Sequence, residues 1–145
     1  MKLTLQTDYA LRVLMYAAAK GERLSTIGEV AAAFDISQAH LMKVVHRLGQ
    51  LGYLTTVRGK GGGMRLACPA DAIGIGAVVR ATEEDLAVLG CLGQPDFCRI
   101  QGMCALKGAL GEATRGFLAV LDRYTLADLA APRLGLAQAL GLSAA

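Results

Sequence analysis

Tryptophan is absent from this chain of 145 residues, and Phe and Tyr number only 3 and 4. Against 25 Ala and 23 Leu, that scarcity argues for helices and against a sheet sandwich, which draws on aromatic and β-branched residues. Hydrophobic residues make up 54% of the chain and mean hydropathy is +0.42. Even so, no apolar run approaches the ~18 residues that mark a transmembrane helix. The first residues, Met1 to Asp8, have no long apolar stretch and no small-residue cleavage site, so a cytoplasmic protein without membrane association is expected. There are only 2 His, and no CxxC pair. No Ser/His/Asp or Cys/His arrangement that would support an enzyme can be assembled from these residues. Acidic residues are missing altogether between Asp35 and Asp71, although the whole chain carries 12 of them against 15 Lys and Arg. The length suits one medium domain, or a small domain with a dimerising arm.

What is present falls into an order. Leu11, Leu14, Met15 and Ala18 predict a helix over 8–20, capped by Thr7 or Asp8 and ended by Gly21. Thr26 and Glu29 form a capping box for a helix reaching Phe34. After a break at Asp35-Ile36, Ser37 opens a helix over 38–51 with Leu41, Val44, Val45, Leu48 and Leu51 on one face. Two short strands, 53–57 and 64–67, flank the loop Arg58-Gly59-Lys60-Gly61-Gly62-Gly63 and predict a hairpin. A short helix is expected over 75–82, then a loop over 83–103. A long helix over 105–124 carries Leu106, Leu110, Ala113, Phe117, Val120/Leu121 and Tyr124 at near coiled-coil spacing, which points to a homodimer, with packing back on its own domain as the alternative. Residues 125–129 read as a capped turn, and the tail from Pro132 as a frayed helix or disordered. The expected division is a winged helix-turn-helix over 1–80, a cofactor loop over 81–104, a dimerisation helix over 105–131 and a tail over 132–145. The fold class is mainly α.

The acid-free stretch coincides with the third helix and the hairpin. Helix, helix, break, helix, hairpin is the order of a winged helix-turn-helix, whose second motif helix enters the DNA major groove. Ser37, Gln38, Ala39 and His40 stand where base edges or phosphates are reached, and Lys43 and Arg47 suit phosphates. Arg58, Lys60 and Arg65 put three cations on a wing of little side-chain bulk, fit for phosphate or the minor groove. A basic helix alone is often just a solvated face, and GxxxxGK[ST] is absent; the combination is what points to double-stranded operator DNA.

Cys91, Cys98 and Cys104 fall within one segment spaced C-x6-C-x5-C. Three thiolates in a Gly/Pro loop can wrap one soft metal centre, iron–sulfur or zinc, and an iron–sulfur cluster needs a fourth ligand. Free thiols or a redox disulfide are the other readings. Cys68, beside Pro69, is read as a small buried residue, with a ligand role as the alternative.

Several blocks together resemble the winged-helix family of iron–sulfur regulators that includes NsrR and IscR. They are residues 3–12, the segment 51–54, the wing 57–66, the cysteine triplet and residues 124–129. The resemblance is strongest to the nitric-oxide-sensing repressors. It implies a homodimer with one 4Fe–4S cluster per subunit, a 2Fe–2S or apo form being the alternatives. It also implies that Asp8 supplies the fourth ligand across the dimer, and that nitric oxide is the effector. Helix capping is the other role open to Asp8 at this point, and sensing of redox state, iron or cluster supply is the other function.

Overall fold

The computed structural model describes residues 2–94, 98–131 and 133–142; Pro95 of the cysteine segment, Pro132 at the start of the tail and residues 143–145 lie outside the described residues. Helix α1 spans Leu5–Lys20, longer at its start than the apolar spacing suggests. Thr4 caps it, its hydroxyl accepting from the Thr7 amide at 3.3 Å. This corrects the choice of Thr7 or Asp8 as cap. Thr7 is fully buried and donates to the Thr82 hydroxyl at 2.9 Å, while Asp8 is already in the helix's first turn.

Helix α2, Ile27–Phe34, starts at the expected capping box, with the Glu29 carboxylate accepting from the Thr26 amide at 2.7 Å. Asp35 then takes the left-handed conformation at φ 53°, which a short polar side chain tolerates better than most. That turn sends the chain into α3, Gln38–Gln50, capped by Ser37. Strands β1 (Leu54–Val57) and β2 (Gly63–Leu66) pair antiparallel, with Leu54 opposite Leu66 and Val57 opposite Gly63. A further rung joins Ser25 to Met64 through two backbone bonds of 2.8 and 2.7 Å. Gly63 permits this approach: a Cβ there would stand 2.6 Å from the Ser25 carbonyl oxygen.

Helix α4 occupies Ile75–Thr82, as expected, followed by a one-turn helix α5 (Gly90–Gly93) and a 3-10 turn over Gln101–Met103. Helix α6 covers Ala105–Leu121 and stops before Tyr124, so the last residue of the predicted apolar stripe lies outside the helix. Tyr124 instead accepts from the Ile75 amide at 2.9 Å, and Leu126 donates to Ile73 at 2.8 Å. These bonds hold the short helix α7, Leu126–Leu129, against the segment entering α4. In the tail, α8 forms over Arg133–Ala139, and Leu136, Leu140 and Leu142 pack against the core. That resolves frayed helix against disorder in favour of a packed helix for the described part.

The core lies where α1, α3, α4 and α7 converge. Val13, Leu14, Val30, Leu41, Leu48, Val78 and Leu126 are all at 0% exposure. Each such burial is worth about 1.5–3 kcal/mol. No residue of α6 is buried. It is held to α4 by a bidentate Arg80–Asp122 pair at 2.6 and 2.7 Å. Gly76 makes room, since a Cβ there would collide with the Asp122 carboxylate. Among the described residues no helix is long and apolar enough to cross a membrane.

Candidate nucleic-acid interface and cysteine segment

Helix α3 divides cleanly into two faces. Leu41, Val44, Val45 and Leu48 are buried in the core, which leaves the opposite face to solvent. Ser37, Gln38, Ala39, His40, Lys43 and Arg47 are all exposed, as are Arg58, Lys60 and Arg65 of the wing. The expected DNA-facing residues therefore lie on two adjoining elements, linked by β1 following directly from α3. Three of them carry local duties as well. Ser37 accepts from the His40 amide at 3.3 Å. The His40 ring lies 6.3 Å from that of Tyr9 on α1. Arg47 donates to the Ala81 carbonyl at 3.4 Å, so this guanidinium leans toward the end of α4. Met42, 60% exposed on the same face, escaped the sequence reading because its type is apolar, although its helical position fits.

Electrostatics reinforce the geometry. The ion pairs Arg12–Asp8, Lys20–Glu29 and Arg80–Asp122 draw on no cation of α3 or the wing. Their charge is left for an outside anion.

The cysteine segment begins where α4 ends. Glu83, the first residue after α4, accepts from the Thr4 amide at 2.7 Å and from the Thr4 hydroxyl at 3.0 Å. Its partial burial opposes ionisation, but the hydrogen bonds it accepts outweigh it and hold the carboxyl below the usual glutamate range. Cys91 lies half-buried on α5, and Cys98 is exposed. Cys104 caps α6, its sulfur accepting from the Lys107 amide at 3.4 Å. All four cysteines are free thiols. Among the described residues no three His, Cys, Asp or Glu side chains are gathered closely enough to hold a metal ion. The single chain thus keeps the triplet on one segment without assembling it into a closed site.

Asp8 is free of capping duty, because Thr4 performs it; its carboxylate, partly exposed, receives the Arg12 guanidinium at 3.0 Å. Cys68 packs against the core and lines a groove with Ala18, Gly21, Arg65 and Pro69, a wall that none of the other cysteines shares.

A model of the Rrf2 family, described as iron-dependent transcriptional regulators, matches residues 3–132. The chain belongs to the Rrf2 family. Its relatives include the HTH-type transcriptional regulator NsrR of Bacillus subtilis, 52% identical over 132 residues, which is 89% of this chain and 90% of that protein. Among solved structures, the oxidised form of CymR from Staphylococcus aureus superposes with a TM-score of 0.72 at 27% identity, covering 90% of this chain and 96% of that one. IscR from T. potens gives 0.70 at 25% identity, covering 89% and 85%. The mainly helical winged-helix fold and the NsrR-type resemblance read from the sequence are both borne out. As an Rrf2 protein this chain is a DNA-binding transcriptional regulator, not an enzyme.

Proposed function

We propose that this Rrf2 regulator is a homodimeric repressor that holds its operator through α3 and the wing and releases it in response to nitric oxide. The observation that carries the DNA half is the coincidence of an acid-free sequence with an exposed face: Lys43, Arg58, Lys60 and Arg65 all lie open on adjoining elements. α3 enters the major groove, and the wing cations neutralise phosphates or enter the minor groove. Dimerisation is supported by α6, which buries none of its residues within the chain and leaves Leu106 61% and Val120 45% exposed. A second copy of α6 is the natural cover for that surface.

The sensing half rests on donor chemistry. Three unpaired thiols stand on one segment, and soft thiolates suit an iron–sulfur centre. Cys91, Cys98 and Cys104 would hold a 4Fe–4S cluster, one per subunit, with the partner subunit's Asp8 as the fourth ligand. That cluster, when bound, supplies iron with which nitric oxide reacts. Asp8 suits the weak fourth position, because a carboxylate is a harder and weaker ligand for iron than a thiolate. To take that role Asp8 leaves Arg12, an exchange of one exposed ion pair that costs little. Cys91 and Cys104, brought together, draw the 83–104 segment closed. Cys104 passes that constraint to the start of α6, and so to the spacing of two α3 helices, which must match half-sites ~34 Å apart.

The test is anaerobic purification, an absorption spectrum and an operator-binding titration before and after a nitric oxide donor. Visible iron–sulfur absorbance with operator affinity lost on treatment is expected; a colourless protein that binds equally well in both conditions overturns the sensing half. The family's description as iron-dependent supports a second reading, in which iron or cluster supply is the signal. Under that reading, removing the cluster changes operator affinity and nitric oxide adds nothing beyond removal.

A further inference from the structure

The first turn of α1 lies against the recognition face of α3. Leu5, Gln6 and Tyr9 from α1 and His40, Lys43 and Val44 from α3 line one cleft of about 110 Å³. Such a volume is well below the ~300 Å³ at which small-molecule sites begin. It is of the order of one phosphate group with its flanking oxygens. Gln6 is exposed, Leu5 is 58% exposed, and Tyr9 reaches across to the His40 ring. Two of the lining residues, His40 and Lys43, belong to the face already assigned to DNA, so the cleft continues that face beyond the helix-turn-helix and the wing.

The charges around it agree. Lys43 brings a cation without an ion-pair partner among the described residues, and His40 adds a ring N–H. Two carboxylates lie close in sequence or structure, and both are engaged elsewhere: Asp8 with Arg12 at 3.0 Å, and Glu83 with Thr4 at 2.7 Å. The remaining lining groups are neutral donors, the Gln6 amide and the Tyr9 phenol, beside the apolar Leu5. One cation, neutral hydrogen-bond donors and a small apolar wall match a phosphodiester with its deoxyribose.

We infer that the first turn of α1 is a third DNA-contacting element, in which Gln6 and Tyr9, together with Lys43 of α3, hold one backbone phosphate of the operator. The inference rests on α3 being the groove-entering helix. A phosphate contact positions the protein and carries no sequence information, so Gln6 and Tyr9 serve affinity and register rather than base choice. Tyr9 has a second effect: its ring against His40 fixes how α3 meets α1, and thus the angle at which α3 is presented.

The experiment is fluorescence anisotropy with an operator duplex and a scrambled duplex of the same length, over a range of salt. The proteins are full-length wild type, Gln6→Ala, Tyr9→Phe, Lys43→Ala and Arg58→Ala, each checked by thermal melting. Gln6→Ala and Tyr9→Phe should each weaken binding about 2- to 10-fold, the worth of one hydrogen bond. The loss should be the same on both duplexes, with the salt slope unchanged because neither residue is charged. Lys43→Ala should lower that slope by ~0.9. If Gln6→Ala and Tyr9→Phe bind like wild type while Arg58→Ala and Lys43→Ala bind weakly, the α1 contact is overturned and the α3 reading stands. A loss confined to the operator duplex overturns the phosphate assignment. If Lys43→Ala and Arg58→Ala also bind normally, the α3 and wing reading fails and takes the inference with it.

Discussion

Asp8 and Glu83 illustrate how much a single carboxylate's role depends on its partners. Asp8 sits within the first turn of α1, beside Arg12, and Thr4 does the capping. Asp8→Ala should therefore leave helix content by circular dichroism unchanged while speeding loss of visible iron–sulfur absorbance in air. Equal rates of loss in the two proteins would count against Asp8 as a ligand. Glu83 ties α1 to the exit of α4 through Thr4. Its carboxyl is held below the ordinary glutamate value, so its contribution to stability is present at neutral pH and disappears as pH falls through the folded value. Glu83→Gln should cost about 1 kcal/mol at pH 7, discounted for its partial exposure. The difference from wild type should shrink as pH falls below the unfolded value of ~4.3 and vanish only below the lower folded value, as followed by urea denaturation across that range. The capping box at Thr26 was legible because Thr and Glu stood three apart before an apolar run. Thr4 was not, because the residues just after it, Leu5 and Gln6, are exposed and leave no mark in the hydrophobic spacing.

At the scale of elements, the helices of the winged-helix half were readable because each buries one face against a common core. Leu41, Val44, Val45 and Leu48 recur at steps of three, one and three, and every one is buried. Leu48→Ala should accordingly cost about 2–5 kcal/mol in chemical denaturation, the range for a fully buried leucine. The wing was readable from its glycines and cations, and Arg58→Ala should weaken DNA binding and lower the salt slope by ~1, measured by anisotropy. Helix α6 is the opposite case. Its apolar stripe was visible, but its end was not: the stripe continues to Tyr124, whereas the helix stops at Leu121 because Tyr124 is drawn into a bridge with the α4 entry. If the proposed dimer forms through α6, Leu106→Asp combined with Val120→Asp should convert it to a monomer in sedimentation equilibrium with little change in melting temperature, since neither residue supports the core of its own chain.

On the scale of the whole molecule, α4 is tied to the elements around it by Thr7 to Thr82, Thr4 to Glu83, Arg80 to Asp122, and the bridge between Gly74 and Thr125. All of them converge on the two ends of α4, which stands between the winged-helix half and α6. Gly76→Ala tests this junction: the added Cβ collides with the Asp122 carboxylate, which must shift and so disturbs its pair with Arg80. Its expected result is reduced operator affinity while α3 and the wing, probed by hydrogen exchange, keep their protection. Unchanged affinity would place the coupling elsewhere.

The sequence by itself determined the class of fold, the helix α3, the β-hairpin that follows it and the grouping of three cysteines. Those depend on local periodicity, on capping and turn chemistry, and on charge counted along the chain, all of which are written in neighbouring residues. Only the tertiary structure decided that Thr4 rather than Thr7 or Asp8 begins α1, that Tyr9 meets His40, that Glu83 reaches back to the N-terminus, and that the tail forms a packed helix over Arg133–Ala139. Each of these joins residues far apart in the chain, or depends on which neighbour a side chain finds when the core closes. No spacing rule within one segment can register such a partner.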